Sequence, residues 1–461
     1  MVIGCVQRVL RQQGLRSAQP LLVPYLLGNW RSKSMNKTNQ SVAALAGGLL
    51  VILLVGSQTG HVQEQALPGA GFAAIPGQIG GQDAFGPYDV VENWPKPMSE
   101  SLPGHEGWTY SVTMDVFAEN PDRVFLVQKG ELPIMERPGE SVWLPELGPG
   151  FHYPNFRLPL RQAGGAIPNG DQLEEPGGGR AGIDWRWEHC VLVVDREGNI
   201  VEEWTQWDHL WYRPHDVEIS PYDPEKHVWI VDADGHFVAK FTNDGSELVL
   251  TLGTPGEPGE GDNHLRRPTF LAFMDENTMY LADGYDNTRV IKYDMDGNIL
   301  AQWGERGLGS GQETRPGYWN NVHGIAVDPT TRRVFVNDRD NGRVQVFDED
   351  GEYLYEWSFW KGRRGQPHDI HSFIVTSDNK LWAADQGTHK IVGYDLEGHY
   401  LYSWGSWGDY PGGMWGVHGM STDKEGNFYT ASVNNGRIMK FRPREGANSD
   451  FLVGKPWPGV W

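Results

Sequence analysis

The stretch DEDGEYLYEW, residues 348–357, decides the fold. It opens on an acid, reaches a glycine three residues later, and then runs through alternating side chains to a tryptophan. Alternation with a period of two reads as a strand with one face turned inward. The glycine supplies the positive φ that the preceding turn requires. The same pattern stands at DREGNIVEEW (195–204), DMDGNILAQW (294–303) and DLEGHYLYSW (395–404), with a degenerate copy, FTNDGSELVLTL, from Phe241. Upstream of the first-quoted copy, the chain from Ile325 reads as strand, turn, strand, turn, strand and turn before the final strand. Comparable units begin near Pro214, Pro268, Val322, Pro367 and Val417. A further unit is assembled from WTYSVTMDVF at Trp108, RVFLVQKG at Arg123, CVLVVD at Cys190 and the strand ending at Trp204. Four strands repeating every ~50 residues predict an all-β fold, a six-bladed β-propeller. The sixth unit lacks an outer strand. Either YDVVENW (88–94) or FLVGKPW (451–457) would close the ring and remove its exposed edges.

Composition agrees with many short strands joined by tight turns: among 461 residues there are 20 Trp, 59 Gly and 30 Pro. The formal net charge is −21, and residues 1–63 hold six bases and no acid, so the remainder is more acidic still. Nucleic acid and anionic membrane surfaces call for basic patches and are excluded as partners on that ground. The run VAALAGGLLVILLV (42–55) is uncharged and too short to span a bilayer, which needs roughly 20 residues. It reads as the apolar core of a signal peptide, with Met35 as the start of translation. The expected organisation is a targeting segment 1–60, a linker 61–87 and a propeller 88–461 interrupted by a long blade-1 loop, 131–184. A secreted or periplasmic location follows, and any membrane contact would run through an uncleaved N-terminal anchor. Of two cysteines, Cys5 lies in the targeting segment, which leaves Cys190 alone and no internal disulfide.

Neighbouring strands of a blade run antiparallel, so the opening of each inner strand shares a face with the loop joining its second and third strands. The openings of blades 2 to 6 read His215, Thr269, His323, His368 and His418. Blades 2, 4 and 6 stand about 120° apart around the channel. His215, His323 and His418 can therefore meet one metal on the axis, and three histidines with an open fourth position are a zinc pattern. His368 falls outside that symmetry and is the alternative third ligand, with Asp369 beside it as an auxiliary one. The simpler reading of each histidine is a hydrogen-bonded turn residue. On the same face, DGYDNTR presents Tyr285 and DRDNGR presents Arg339, and the shared D-N-x-R ending is expected to tie each loop through Asp286–Arg289 and Asp340–Arg343. A tyrosine beside a metal is a candidate base, and an arginine a carboxylate receptor. The alternative for both is an exposed loop side chain. The 131–184 loop, rich in Gly and Pro, is expected on this face as a lid or specificity loop.

PHDV at Pro214, GDNHLRRPT at Gly261, DGYDNTRV at Asp283, QWGE at Gln302, NVHGIAVD at Asn321 and DRDNGRVQVF at Asp338 resemble the peptidyl-α-hydroxyglycine amidating lyase family, built on NHL-type repeats. The resemblance implies zinc held by His215, His323 and His418, Tyr285 as base and Arg339 in the active site. It implies cleavage of a carbinolamide to an amide and glyoxylate, with a separate hydroxylating monooxygenase supplying the substrate. Three departures stand out. Lys129 takes the place of a second family arginine and keeps the charge without the fork. Gly419 follows His418 where the family carries an aspartate that helps to bind calcium; the His-Asp pair appears instead at His368-Asp369. The disulfides of animal members are missing. Two further readings compete: a propeller hydrolase using another metal, disfavoured by the histidine-rich face, and a non-catalytic NHL module that binds peptide or glycan.

Overall fold

The computed structural model describes residues 84–134, 142–143, 152–153, 181–183, 185–309, 312–358 and 370–459. The expected targeting segment 1–60, most of the 131–184 loop, His368 and Asp369 lie outside the described residues. Among the described residues the chain forms six four-stranded antiparallel sheets, the blades of a propeller. Blade 1 is Thr113–Asn120, Arg123–Gln128, Val191–Val194 and Ile200–Glu203. Blades 2 to 5 follow in simple chain order, their inner strands being Pro214–Ile219, Pro268–Phe273, Val322–Asp328 and Ile370–Thr376. Blade 6 takes Val417–Thr422, Phe428–Ser432 and Arg437–Pro443 from the end of the chain and its outer strand, Tyr88–Val90, from the start. FLVGKPW forms no strand: Phe451 stacks on Tyr402 with ring centroids 4.8 Å apart, and the Val453 amide donates to the Tyr88 hydroxyl at 2.7 Å.

Blade 5 corrects the sequence register. Ile370 lies opposite Asp385, as Pro268 lies opposite Asp283 and Val322 opposite Asp338. The residue equivalent to His215, His323 and His418 is therefore His371, not His368. The PHD at 367–369 imitates the PHD at 214–216, but cross-strand pairing sets the register, and it begins three residues later.

The repeated Gly and Trp are two halves of one interblade contact. A Cβ on Gly351, at φ +91°, would meet the Trp303 ring of the preceding blade at 2.8 Å; on Gly398, at φ +88°, it would meet Trp357 at 2.4 Å. Gly245 stands likewise against Trp204, Gly86 against Trp404 and Gly198 against Trp94, and in the degenerate copy Leu252 replaces Trp against Gly297. Each blade thus lays the end of its outer edge onto the turn of the next, all round the ring. Trp204 and Trp404 are fully buried, and losing one such ring costs about 3–5 kcal/mol.

A buried aspartate ends the second strand of several blades and clips the approach to its inner strand. Asp232 accepts from the amides of Tyr212 and Arg213, Asp283 from Arg266 and Asp338 from Asn320, all at 2.7–2.9 Å. The same carboxylates tie the loops. Arg289 reaches Asp283 at 2.9 Å and Arg343 reaches Asp338 at 2.7 Å. The expected partners Asp286 and Asp340 do not serve: Asp286 faces Arg267 at 3.6 Å, and the Asp340 carboxylate accepts from Asn321 at 3.3 Å. A fully buried carboxylate at a strand end offers a fixed, dry partner that a half-exposed loop acid cannot.

Candidate metal centre and active site

The clips of Asp232 and Asp338 hold the openings that carry His215 and His323, while His418 opens blade 6, where Ser432 stands opposite Val417. His215, His323 and His418 are buried, and one ring nitrogen of each lies within 4.8 Å of the others. Their rings stand edge to face, with centroids 4.5–5.3 Å apart. Each Nδ1 faces a backbone carbonyl on the next blade: His215 faces Thr269 at 2.9 Å, His418 faces Met114 at 2.8 Å, and His323 faces His371. A carbonyl only accepts, so Nδ1 carries the proton and the Nε2 lone pair points at the axis, the arrangement that prepares histidine for a metal. His418 Nε2 is buried without a hydrogen-bond partner among the described residues. Burial pushes all three imidazoles well below the usual histidine range; the next influence is His418 for His215, Arg339 for His323 and His371 for His418. They are neutral donors at physiological pH. A trio of convergent lone pairs, one of them orphaned, fits a divalent transition ion.

Tyr285 stands at the open side of this trio. Its hydroxyl lies 3.0 Å from His215 Nε2 and 2.8 Å from His323 Nε2. Gly284 permits that approach, because a Cβ there would lie 1.7 Å from the Val322 carbonyl oxygen of blade 4. Two arginines flank the ring: Arg213 Cζ is 5.0 Å and Arg267 Cζ 4.9 Å from its centroid, and Arg213 Nη2 is 3.4 Å from the hydroxyl. Arg267 is anchored by Asp234 at 2.9 Å. Arg213 reaches Asp234 only at 3.8 Å, and its Nε is buried without a partner among the described residues.

A cavity of about 290 Å³ opens above the trio, lined by Lys129, Arg213 and Arg339 together with Tyr285, His371 and His418; its described lining includes no carboxylate. Lys129 is 7% exposed, and burial, followed by the charge of Arg213, brings its ammonium down to about 8. The Phe270 ring packs against the trio, with centroid distances of 5.0, 5.2 and 5.4 Å to His215, His323 and His418. Phe270 lines a separate cavity of about 560 Å³. Gly419 packs against Asp115, whose Oδ1 would stand 2.0 Å from any Cβ placed there. The space for an aspartate after the third histidine is thus taken by Asp115. Burial, and then the neighbouring Asp216, raises the Asp115 carboxyl well above its usual range, and burial raises Asp216 to about 7.

The structure brings Lys129, Tyr285, Arg339 and His418 to the lining of one cavity, and sets His215 and His323 behind it, each within 3.0 Å of the Tyr285 hydroxyl. Four further residues escaped sequence reasoning. His371 was hidden by the register error in blade 5. Arg213 and Arg267 each stand immediately before an inner strand, and their place at a strand mouth was the available signal. Phe270 had no polar signature at all.

No family model matches the chain. Among curated proteins it is 29% identical over 241 residues to the peptidyl-glycine alpha-amidating monooxygenase of Mus musculus, covering 47% of this chain and 24% of that protein. It is 38% identical over 176 residues to NHL repeat-containing protein 3 of the same organism, covering 36% and 48% respectively. It is 32% identical over 165 residues to peptidyl-alpha-hydroxyglycine alpha-amidating lyase 1 of Drosophila melanogaster, covering 35% and 29%. The matched part therefore spans less than half the length of each of these relatives. Among solved structures, virginiamycin B lyase from Staphylococcus aureus is 12% identical with a TM-score of 0.41, covering 73% of this chain and 98% of that one, a distant likeness of fold. The chain is thus a six-bladed NHL-type β-propeller homologous to the peptidyl-alpha-hydroxyglycine alpha-amidating lyases.

Proposed function

We propose that this protein is a zinc-dependent carbon–nitrogen lyase that cleaves an α-hydroxyglycine amide to the amide and glyoxylate. One observation carries the reading: in a chain of net charge −21, three cations and a tyrosine line a single small cavity whose wall includes His418, one of three convergent neutral histidines. Such a pocket calls for an anion with an oxygen to be activated. Zinc, held by His215, His323 and His418, would act as a Lewis acid toward the substrate hydroxyl. Tyr285, beside two of those imidazoles, takes the hydroxyl proton. The oxygen lone pair so released forms the aldehyde carbonyl as the C–N bond breaks, and the departing nitrogen regains a proton to become the amide. Arg213 and Arg339 receive the substrate carboxylate through charge-assisted hydrogen bonds, and Lys129 adds charge from blade 1. Phe270 packs an apolar ring against all three imidazoles. The substrate must come from a reaction that hydroxylates a glycine α-carbon, and the apolar run 42–55, read as a signal segment, supports a location outside the cytoplasm.

A second reading has its own support, since NHL repeat-containing protein 3 is the more identical relative over a similar span. In it the same cavity holds a carboxylate ligand without turnover. The deciding experiment follows glyoxylate release from an α-hydroxyglycine peptide by zinc-loaded protein, alongside binding of that peptide. Release that disappears in His418→Ala is expected. Zinc loading and peptide binding without glyoxylate would establish the binding module instead.

A further inference from the structure

A second cluster of metal-ligating side chains stands outside this cavity, on blade 1. His105, Glu131, Glu188 and His189 each offer one atom, and all four atoms lie within 4.8 Å of one another. His105 Nδ1 is 3.1 Å from both oxygens of Glu131, and His189 Nδ1 is 2.6 Å from one of them. The Glu131 side chain is fully buried, that of His189 is 5% exposed, and the two imidazoles meet edge to face at 4.8 Å. His189 holds a left-handed backbone, φ +59°, a conformation of a few per cent of non-glycine residues. Its amide is anchored by Asp208 at 2.8 Å.

We propose that His105, Glu131, Glu188 and His189 form a second, structural site for a divalent transition ion of the zinc class. Two imidazoles and two carboxylates make the four-donor N2O2 set that such an ion takes in tetrahedral coordination. The surroundings follow the same logic. His189 turns Nδ1 to the cluster and presents Nε2 to Glu203 at 2.8 Å, so that a carboxylate orients a ligating histidine from behind. Two glutamates balance the charge of a dication. The donors come from separate stretches that the ion would tie together. His105 precedes the short strand Trp108–Tyr110, Glu131 begins Glu131–Pro133, with which that strand pairs, and Glu188 and His189 lead into Val191–Val194 of blade 1. Lys129, two residues before Glu131, faces the active cavity, so the ion would brace the strand end that presents this cation.

The site is independent of the reading proposed for the cavity, and its test is kept separate. Full-length protein stripped with chelator is dialysed against zinc alone, and bound metal is counted for the native chain and for His418→Ala, Glu131→Gln, His105→Ala and Glu188→Ala. The expected result is one zinc ion fewer in Glu131→Gln, His105→Ala and Glu188→Ala than in the native chain, and one zinc ion retained in His418→Ala. Chelation should lower the unfolding temperature of His418→Ala by several degrees, because that variant keeps only the blade-1 ion. His105 and Glu188 lie nearer the surface than Glu131, so their variants report even where Glu131→Gln fails to fold. One zinc ion in the native chain, unaltered by His105→Ala and Glu188→Ala, would overturn the proposal and leave the cluster a metal-free hydrogen-bond network.

Discussion

The Tyr285 hydroxyl lies 2.8 Å from His323 Nε2 while the same hydroxyl lies 3.0 Å from His215 Nε2. A phenol has one proton and cannot donate to both lone pairs. One imidazole is therefore left without a donor, as His418 is, and the tyrosine oxygen stands at the mouth of an acceptor-rich hollow. In Tyr285→Phe, zinc content should persist while glyoxylate release falls about 10²- to 10⁴-fold, the usual worth of a positioned acid or base. Steady-state kinetics beside metal analysis separates the two; turnover within threefold of native would remove the tyrosine from the chemistry.

His418 and His371 have adjacent rings, 5.3 Å apart, but different tasks. The His371 carbonyl, a backbone group, orients His323, whereas His418 offers its own Nε2. His418→Ala should abolish zinc at the axis and His371→Ala should retain it. Equal loss from both would mean that four imidazoles share the ion.

Lys129 is buried and burial disfavours its ammonium, a cost to folding that the proposed carboxylate-binding role accounts for. Lys129→Met should raise KM for the carboxylate substrate about 10- to 100-fold, the equivalent of one charge-assisted hydrogen bond. Stability to urea should hold or rise. A variant that unfolds more readily with KM unchanged would make the lysine structural.

The pairing of Arg343 with Asp338 is buried at both ends. Asp338→Ala leaves the guanidinium without its counter-charge and should cost about 3–5 kcal/mol. Asp286→Ala removes a half-exposed partner of Arg267 and should cost less than about 1 kcal/mol. Urea denaturation of both variants checks the assignment, and similar losses would restore Asp286 as a loop tie.

Asp232 is fully buried and raised from its ordinary value near 3.8 to about 7, by burial against three backbone amides that draw it down. Its folded pKa lies above its unfolded one, so its contribution to stability is complete below about pH 4 and is lost as pH rises through about 7. The span is worth up to roughly 4 kcal/mol. Asp232→Asn should flatten the decline between pH 5 and pH 8 in denaturant titrations, and an equally steep decline in the variant would assign it elsewhere.

The repeat D-x-x-G…W, with its period of two, determined the strands, the blade count and the end of the barrel on which the histidines stand. It did so because strand pairing needs only local alternation and a turn that reverses the chain. It could not show that Gly351 is bare because Trp303 lies on it, nor that Tyr88 rather than Phe451 closes the ring. It also misplaced blade 5, where PHD at 367–369 looks like PHD at 214–216 but His371 pairs in the equivalent register. Those outcomes depend on contacts between residues far apart in the chain. The same holds for the site. Sequence supplied three histidines, a tyrosine and two cations at strand mouths, because loops at one end of a blade share a face. Only the closed ring turned three Nε2 atoms toward one another, by giving each Nδ1 a carbonyl on the neighbouring blade, and only it set Arg213, Arg267 and Phe270 around them.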